Sequence, residues 1–235
     1  MSRRRFLVTA GNARERIDCV RDWGNIFTGN TGYSIARALA PLGQVDLLTS
    51  NRAHAAQAAG DGIQASTFSS HAELKGALAA LLAREQYHAV FMTAAVADYR
   101  PAGVYQVIER TRTDDGAELW RVRDAQAPKV KSNHARIAVL GEQTEKLIDL
   151  FRTQWQYRGL LVKFKLEVGI GAEELIRIGQ MSRAASDADY LVANTLEMVD
   201  GDRAGAYLIS STGHEFVPRA ALAWRLAELV ARTDR

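Results

Sequence analysis

Short apolar runs alternate with longer stretches of helical periodicity, glycines stand where the first of those runs stops, and one polar, turn-rich stretch interrupts the series. Together these predict an α/β fold: a mostly parallel, Rossmann-like sheet with helices on both faces, plus a β-hairpin flap or arm. At 235 residues and roughly 150 residues per domain, the chain fits one α/β domain over 1–235, with the arm at about 101–132.

The elements read in order. Phe6 to Thr9 is a buried strand, Gly32 to Ala40 a helix with Ile35, Ala36 and Leu39 on one face, and Val45 to Thr49 a second strand, completing a βαβ unit. Leu74 to Ala83 is an amphipathic helix with Leu74, Leu78, Leu81 and Leu82 inward, feeding the strand Ala89 to Thr93. From Pro101 to Pro128 the pattern turns polar, and Thr113-Asp114-Asp115-Gly116 marks a hairpin turn between Val107 to Arg110 and Leu119 to Val122. The alternation is then expected to resume with Ile137 to Leu140, the helix Glu145 to Gln154, the strand Leu160 to Phe164, the helix Ala172 to Ala185 and the strand Tyr190 to Ala193. A hairpin of Ala206 to Ser210 and Glu215 to Val217, then a helix from Ala220 to Ala231, end the series.

Hydrophobic residues make up 47% and charged residues 24% of the chain, an ordinary globular balance. The net charge of +3 is spread along the chain, which favours small anionic ligands weakly and argues against a nucleic-acid partner. The single cysteine, Cys19, excludes an internal disulfide and a thiolate metal cluster, and suits a reducing compartment. Arg3-Arg4-Arg5 is followed by an apolar run too short for a signal peptide, and no window approaches a membrane span. A cytoplasmic location with no membrane partner is the expectation. His54, His71, His88, His134 and His214 show no i, i+4 pairing, so no metal site is expected.

Three constellations suit ligand chemistry. Gly11-Asn12-Ala13-Arg14-Glu15 begins where the first strand stops, and Gly29-Asn30-Thr31-Gly32 stands before the first helix. Glycine permits close backbone approach there, although the spacing is neither the dinucleotide fingerprint nor the phosphate-loop motif, and ordinary turn glycines explain the pattern about as well. Thr93-Ala94-Ala95-Val96-Ala97-Asp98 leaves room for a flat ligand against a strand end, with Asp98 an acceptor for base or ribose or, equally, a helix cap. Lys129-Val130-Lys131-Ser132 follows the arm and offers cations over phosphates, or simply a solvated edge.

In order along the chain, these segments resemble the phosphopantothenate-cysteine ligase family. The resemblance runs through Val8-Thr9-Ala10-Gly11, Arg14-Glu15, Ile17-Asp18, Val20-Arg21, Asn25, Gly29 and Gly32, then Ala94-Ala95-Val96-Ala97-Asp98-Tyr99, Lys129-Val130-Lys131-Ser132, Lys146-Leu147-Ile148, Phe164-Lys165-Leu166-Glu167 and Val192-Ala193-Asn194. Each motif alone is short; the ordered set, which resembles the stand-alone bacterial ligases without a fused flavin-binding half, is specific. The resemblance implies a nucleoside triphosphate co-substrate, CTP favoured over ATP, with Mg²⁺ carried on it, and 4'-phosphopantothenate and cysteine as partners in a homodimeric enzyme. It implies that Asn25, Lys129 and Arg21 serve catalysis. Ala94, Ala95, Asp98, Lys129 and Phe164 would seat the nucleotide, and Gly11, Gly29 and Asn25 the acid substrate.

The chain also departs from the family pattern. Phe27-Thr28-Gly29-Asn30 stands where the family has Ser-Ser-Gly-Lys, and Gln143-Thr144-Glu145 where it has Pro-Thr-Pro. Met181 and Ala185 stand where it places triphosphate-holding lysines, and Arg177 or Arg183 would substitute from neighbouring turns. These changes keep open a carboxylate-amine ligase for other substrates and a non-catalytic nucleotide-binding homologue. A nicotinamide-dependent reductase is a weaker alternative, since the glycine fingerprint is absent.

Overall fold

The computed structural model describes residues 4–201 and 204–232; Arg3 of the arginine triplet lies outside them. The chain runs β1 (Arg5–Ala10), β2 (Arg14–Arg16), β3 (Asp22–Gly24), α1 (Asn30–Leu39), β4 (Gln44–Thr49), α2 (Arg52–Ala58), β5 (Gln64–Thr67), α3 (His71–Arg84) and β6 (Ala89–Met92). It continues through β7 (Tyr99–Arg112), β8 (Glu118–Asp124), β9 (Ile137–Gln143), α4 (Leu147–Thr153), β10 (Leu160–Glu167), α5 (Ala172–Ala185), β11 (Tyr190–Thr195), β12 (Gly205–Ile209), β13 (His214–Pro218) and α6 (Arg219–Arg232).

The main sheet has the order β13-β12-β11-β10-β6-β1-β4-β5. From β5 to β11 every neighbour is parallel, and the β12–β13 hairpin adds antiparallel to the β11 edge. Parallel strands are buried on both faces, so β1 alternates two cores. Phe6, Val8 and Ala10 pack with Ile35 and Leu39 of α1 and Leu226 and Val230 of α6. Leu7 packs on the other face with Leu74 and Leu78 of α3 and Leu147 and Phe151 of α4. Helices therefore cover both faces, as expected. The chain winds outward from β1 to β4 and β5, then returns to place β6 on the other side of β1. The strand order reverses there, the place where open α/β sheets form a ligand crevice beyond the strand ends.

Four elements escaped the hydrophobic pattern. The α2 segment RAHAAQA buries only His54 and Ala58, and the edge strand β5 reads QAST, with no apolar alternation. β2 and β3 form a three-residue ribbon, charged or exposed throughout, held by backbone pairing. One expectation needs correcting: Ile137 to Leu140 does not resume the core alternation. β9 pairs antiparallel with β7, which pairs with β8, making a three-stranded arm sheet outside the main one. An apolar run signals burial or partnership without naming the partner strand. The arm leaves Ile108, Leu119, Trp120, Val122, Ile137 and Leu140 exposed.

Two residues, one on α1 and one on α2, carry testable consequences. A Cβ on Gly32 would lie 2.3 Å from Thr93 Oγ1 and 2.8 Å from Ala10 Cβ, so α1 approaches β1 only without a side chain there. Gly32→Ala is expected to destabilise the fold by about 1–3 kcal/mol, measured as a shift of the urea midpoint. His54 is buried, its ring stacks on Tyr33 with centroids 4.5 Å apart, and its Nδ1 has no partner among the described residues. Burial lowers its pKa below 6.5. The unfolded chain therefore binds the proton first, and stability falls as pH drops below the ordinary histidine value. A His54→Phe variant is expected to flatten this part of the stability-pH curve.

Candidate active site

The carboxyl ends of β1 and β6 are fastened together beyond the sheet. The Thr93 hydroxyl donates to Thr9 O, and Ala94 N donates to Thr9 Oγ1 at 3.1 Å. Ala95 N donates to Gly11 O at 2.9 Å and Ala13 N to Ala95 O at 3.0 Å, closing an Asn12–Ala95 bridge. Gly11 turns the chain with φ 85°, and a Cβ there would meet Ser50 Oγ at 2.2 Å. Gly29, at φ 87°, packs its backbone on Gly11, where a Cβ would stand 2.3 Å from Gly11 N. Both positions require glycine for conformation and for space.

A cavity of about 460 Å³ opens at this crevice, within the size range of small-molecule sites. Its walls include Gly11, the 26–32 segment, Thr93, Ala94 and Ala95, Phe164, Lys165 and Leu166 from β10, Val192 and Asn194 from β11, and Arg219 and Leu222 from α6. Of the sequence-selected residues, Gly11, Gly29, Ala94, Ala95 and Phe164 line it. Asn25 stands at its edge, with Nδ2 3.5 Å from Ala95 O. The backbone of Asn25 is held by the Asn12 side-chain amide, and that of Thr28 by Asn51 Nδ2 at 3.0 Å. Asn12 and Asn51 were not selected from the sequence; a side chain that grips a loop carbonyl leaves no periodic trace. Lys165 and Asn194, quoted from the sequence only within the motifs of the resemblance, also line the cavity, as do Ile26 and Arg219, which no motif named.

The remaining selected residues do not line the cavity. Asp98 is exposed, its backbone oxygen accepting from Thr144 N at 2.9 Å. Arg177 is paired with Glu174 at 2.6 Å and touches Met181 Sδ, while Arg183 donates to Ala188 O at 2.9 Å. These contacts hold both guanidinium groups along α5.

Arg21 and Lys129 belong to a second feature. Asp18, buried, accepts from Val20 N and Arg21 N at 2.8 Å with one oxygen. Its other oxygen accepts from Arg21 Nη2 at 2.6 Å and from Val130 N at 3.1 Å. Arg21 Nη2 also donates to Val130 O at 2.8 Å, and Cys19 N to Pro128 O at 2.9 Å. The turn at 17–21 is thus stitched to the segment that returns from the arm, and Lys129 is carried, exposed, between two stitches. The Arg21 guanidinium and three backbone donors hold the Asp18 carboxyl well below the usual carboxylate range.

A carboxylate with a depressed pKa contributes stability that is present above its unfolded value and lost as pH falls through the folded one. Asp18→Asn is expected to loosen the 128–131 segment at neutral pH, visible as faster tryptic cleavage after Lys129 and Lys131, with urea unfolding of the remainder changed little. Unchanged cleavage would show that Asp18 does not hold this segment.

Residues 1–119 match the family described as DNA/pantothenate metabolism flavoprotein C-terminal domain. The chain is 28% identical over 216 residues to the coenzyme A biosynthesis bifunctional protein CoaBC of Thermococcus kodakarensis, an alignment covering 92% of this chain and 47% of that protein. It spans about half the length of that curated relative. Among solved structures it is similar to the DNA/pantothenate metabolism flavoprotein from Streptococcus pneumoniae, with a TM-score of 0.78 at 22% identity, covering 98% of this chain and 99% of that one. It is also similar to a Cab2 mutant in complex with phosphopantothenate-cysteine, with a TM-score of 0.68 at 13% identity, covering 97% and 85%. At these identities the structural likenesses establish the fold, whose crevice at the β1–β6 reversal is the site described above. With half of its length matched directly, the chain belongs to the DNA/pantothenate metabolism flavoprotein C-terminal domain family.

Proposed function

We propose that the chain is a phosphopantothenate-cysteine ligase of coenzyme A biosynthesis. Membership of the family carries this reading, supported by the name of the Thermococcus relative and by the approach of Asn25 to Ala95 at the cavity edge.

In the reaction so proposed, a carboxylate oxygen of 4'-phosphopantothenate attacks the α-phosphorus of a nucleoside triphosphate, with CTP favoured over ATP. The bond to the β-phosphate breaks and pyrophosphate leaves. The cysteine amine then attacks the activated carbonyl carbon, the nucleoside monophosphate departs with the bonding pair, and the amine loses a proton. Such chemistry needs positioning and charge stabilisation rather than a protein nucleophile. The Asn25 amide donates to the activated carbonyl, Ala94 and Ala95 give the nucleotide a flat seat beside Phe164, and Asp98 accepts from base or ribose as the ligand closes the site. Lys129 closes over the phosphates, and Arg21 acts through the loop it fastens. Gly11 and Gly29 allow the acid substrate close to the backbone. Mg²⁺ would arrive on the triphosphate and neutralise its charge; among the described residues no group of three His, Cys, Asp or Glu side chains forms a metal cage.

The exposed apolar side chains of the arm suit a homodimer interface. No helix among the described residues is long and apolar enough to cross a membrane; a cytoplasmic location fits the pathway proposed.

A second reading, a related ligase for another acid or amine, is favoured by one observation: Arg177 and Arg183 already have partners along α5, where Met181 is exposed. Pyrophosphate release that requires both CTP and phosphopantothenate tests the first reading, and turnover with a different acid would replace it with the second. Within the first, Asn25→Ala is expected to keep the unfolding midpoint and lose about a hundredfold in amide formation. Lys129→Ala is expected to raise the KM for the nucleotide.

A further inference from the structure

The polar groups on the cavity wall divide into those already engaged and those left over. Thr93 Oγ1 donates to Thr9 O, Asn194 Nδ2 to Thr195 O at 3.1 Å, and Lys165 is paired with Glu167 at 3.0 Å. Among the described residues no carboxylate side chain lines the cavity. The groups with no side-chain partner among the described residues are Thr28, Asn30, Thr31 and Arg219. α1 and α6 pack against each other on one face of the sheet, and Asn30 and Thr31 of α1 line the same cavity as Arg219 of α6. Glu215 and Glu228, the carboxylates nearest in sequence along α6 and its preceding strand, are paired with Arg225 instead.

We infer that Arg219 is a specificity-determining residue that binds a phosphate group of a ligand, with Thr28, Asn30 and Thr31 supplying neutral hydrogen bonds beside it. Arg219 is exposed at the cavity wall with no counter-charge among the described residues, so its guanidinium is available to an anion, and its planar fork of donors matches two phosphate oxygens at once. Two ligands of the ligase reading carry such a group, the acid substrate and the nucleotide; the inference takes its candidate ligands from that reading but rests on the wall chemistry alone.

The test measures binding of four probes by calorimetry to the wild type, Arg219→Ala and Arg219→Lys: 4'-phosphopantothenate, pantothenate, CTP and inorganic pyrophosphate. The expected result is a Kd for phosphopantothenate raised about tenfold or more by Arg219→Ala, with pantothenate and CTP unchanged and partial recovery in Arg219→Lys. A rise confined to CTP and pyrophosphate also supports the phosphate role and assigns the group to the nucleotide. If the wild type binds pyrophosphate through Arg219 but neither phosphopantothenate nor CTP, the wall inference stands and the ligase reading falls. Equal loss of pantothenate and phosphopantothenate binding, wild-type affinities throughout, or a wild type that takes no phosphorylated probe would overturn it.

Discussion

The fastening of β1 to β6 past the end of their ladder is the contact on which the rest of the site depends. In a doubly wound sheet the connections from these two strands leave in opposite directions, so their carboxyl ends tend to part and open a crevice. Here the Thr93 hydroxyl donates to Thr9 O and Ala94 N donates to the Thr9 hydroxyl across the gap, and Gly11, Ala13 and Ala95 extend the pairing for one more turn of chain. The floor of the crevice is thereby fixed at backbone level. Only then can the 25–32 segment lie across it, because that segment's own grip consists of two asparagine amides and a glycine contact, with Ile26 turned out to solvent.

Around that floor, charge is used sparingly. A deeply held carboxylate, Asp18, stands away from the cavity wall and works as a fastener between the 17–21 turn and the segment returning from the arm. Its stabilisation comes from one guanidinium and from backbone donors together, which keeps the carboxyl ionised and the two loops in register. Among the described residues the cavity is lined by apolar side chains, amides, hydroxyls and two cations. A wall with no carboxylate among its described residues suits a reaction whose difficulty lies in gathering negatively charged reactants, and it agrees with a proposed mechanism in which no side chain forms a bond to substrate.

How far this was legible in the sequence differs from element to element. β1, α1, β4, α3, β6, β10, α5 and β11 announce themselves because both faces of the parallel core demand periodic apolar residues. α2 and β5 do not, because an alanine-rich helix and a polar edge strand bury little. β9 misled for the opposite reason: its apolar run Ile137–Leu140 is exposed or half-buried on the arm. Within the site, Gly11, Ala94 and Ala95 were visible as small residues at strand ends. Asn12, Asn51 and Arg219 were not, since each matters through a partner 13 or more residues away or through a wall shared by separate helices.

The backbone-to-backbone contact of Gly29 on Gly11 has a consequence for how such a site can diverge over evolutionary time. Neither position tolerates a side chain, and a change at one cannot be relieved by a change at the other, so the crevice floor is locked against drift. The neighbours Phe27, Thr28 and Asn30 line the cavity beside that contact and are not bound by its need for glycine. Ligand preference can therefore wander by substitution on the rim while the geometry that brings reactants together is inherited unchanged.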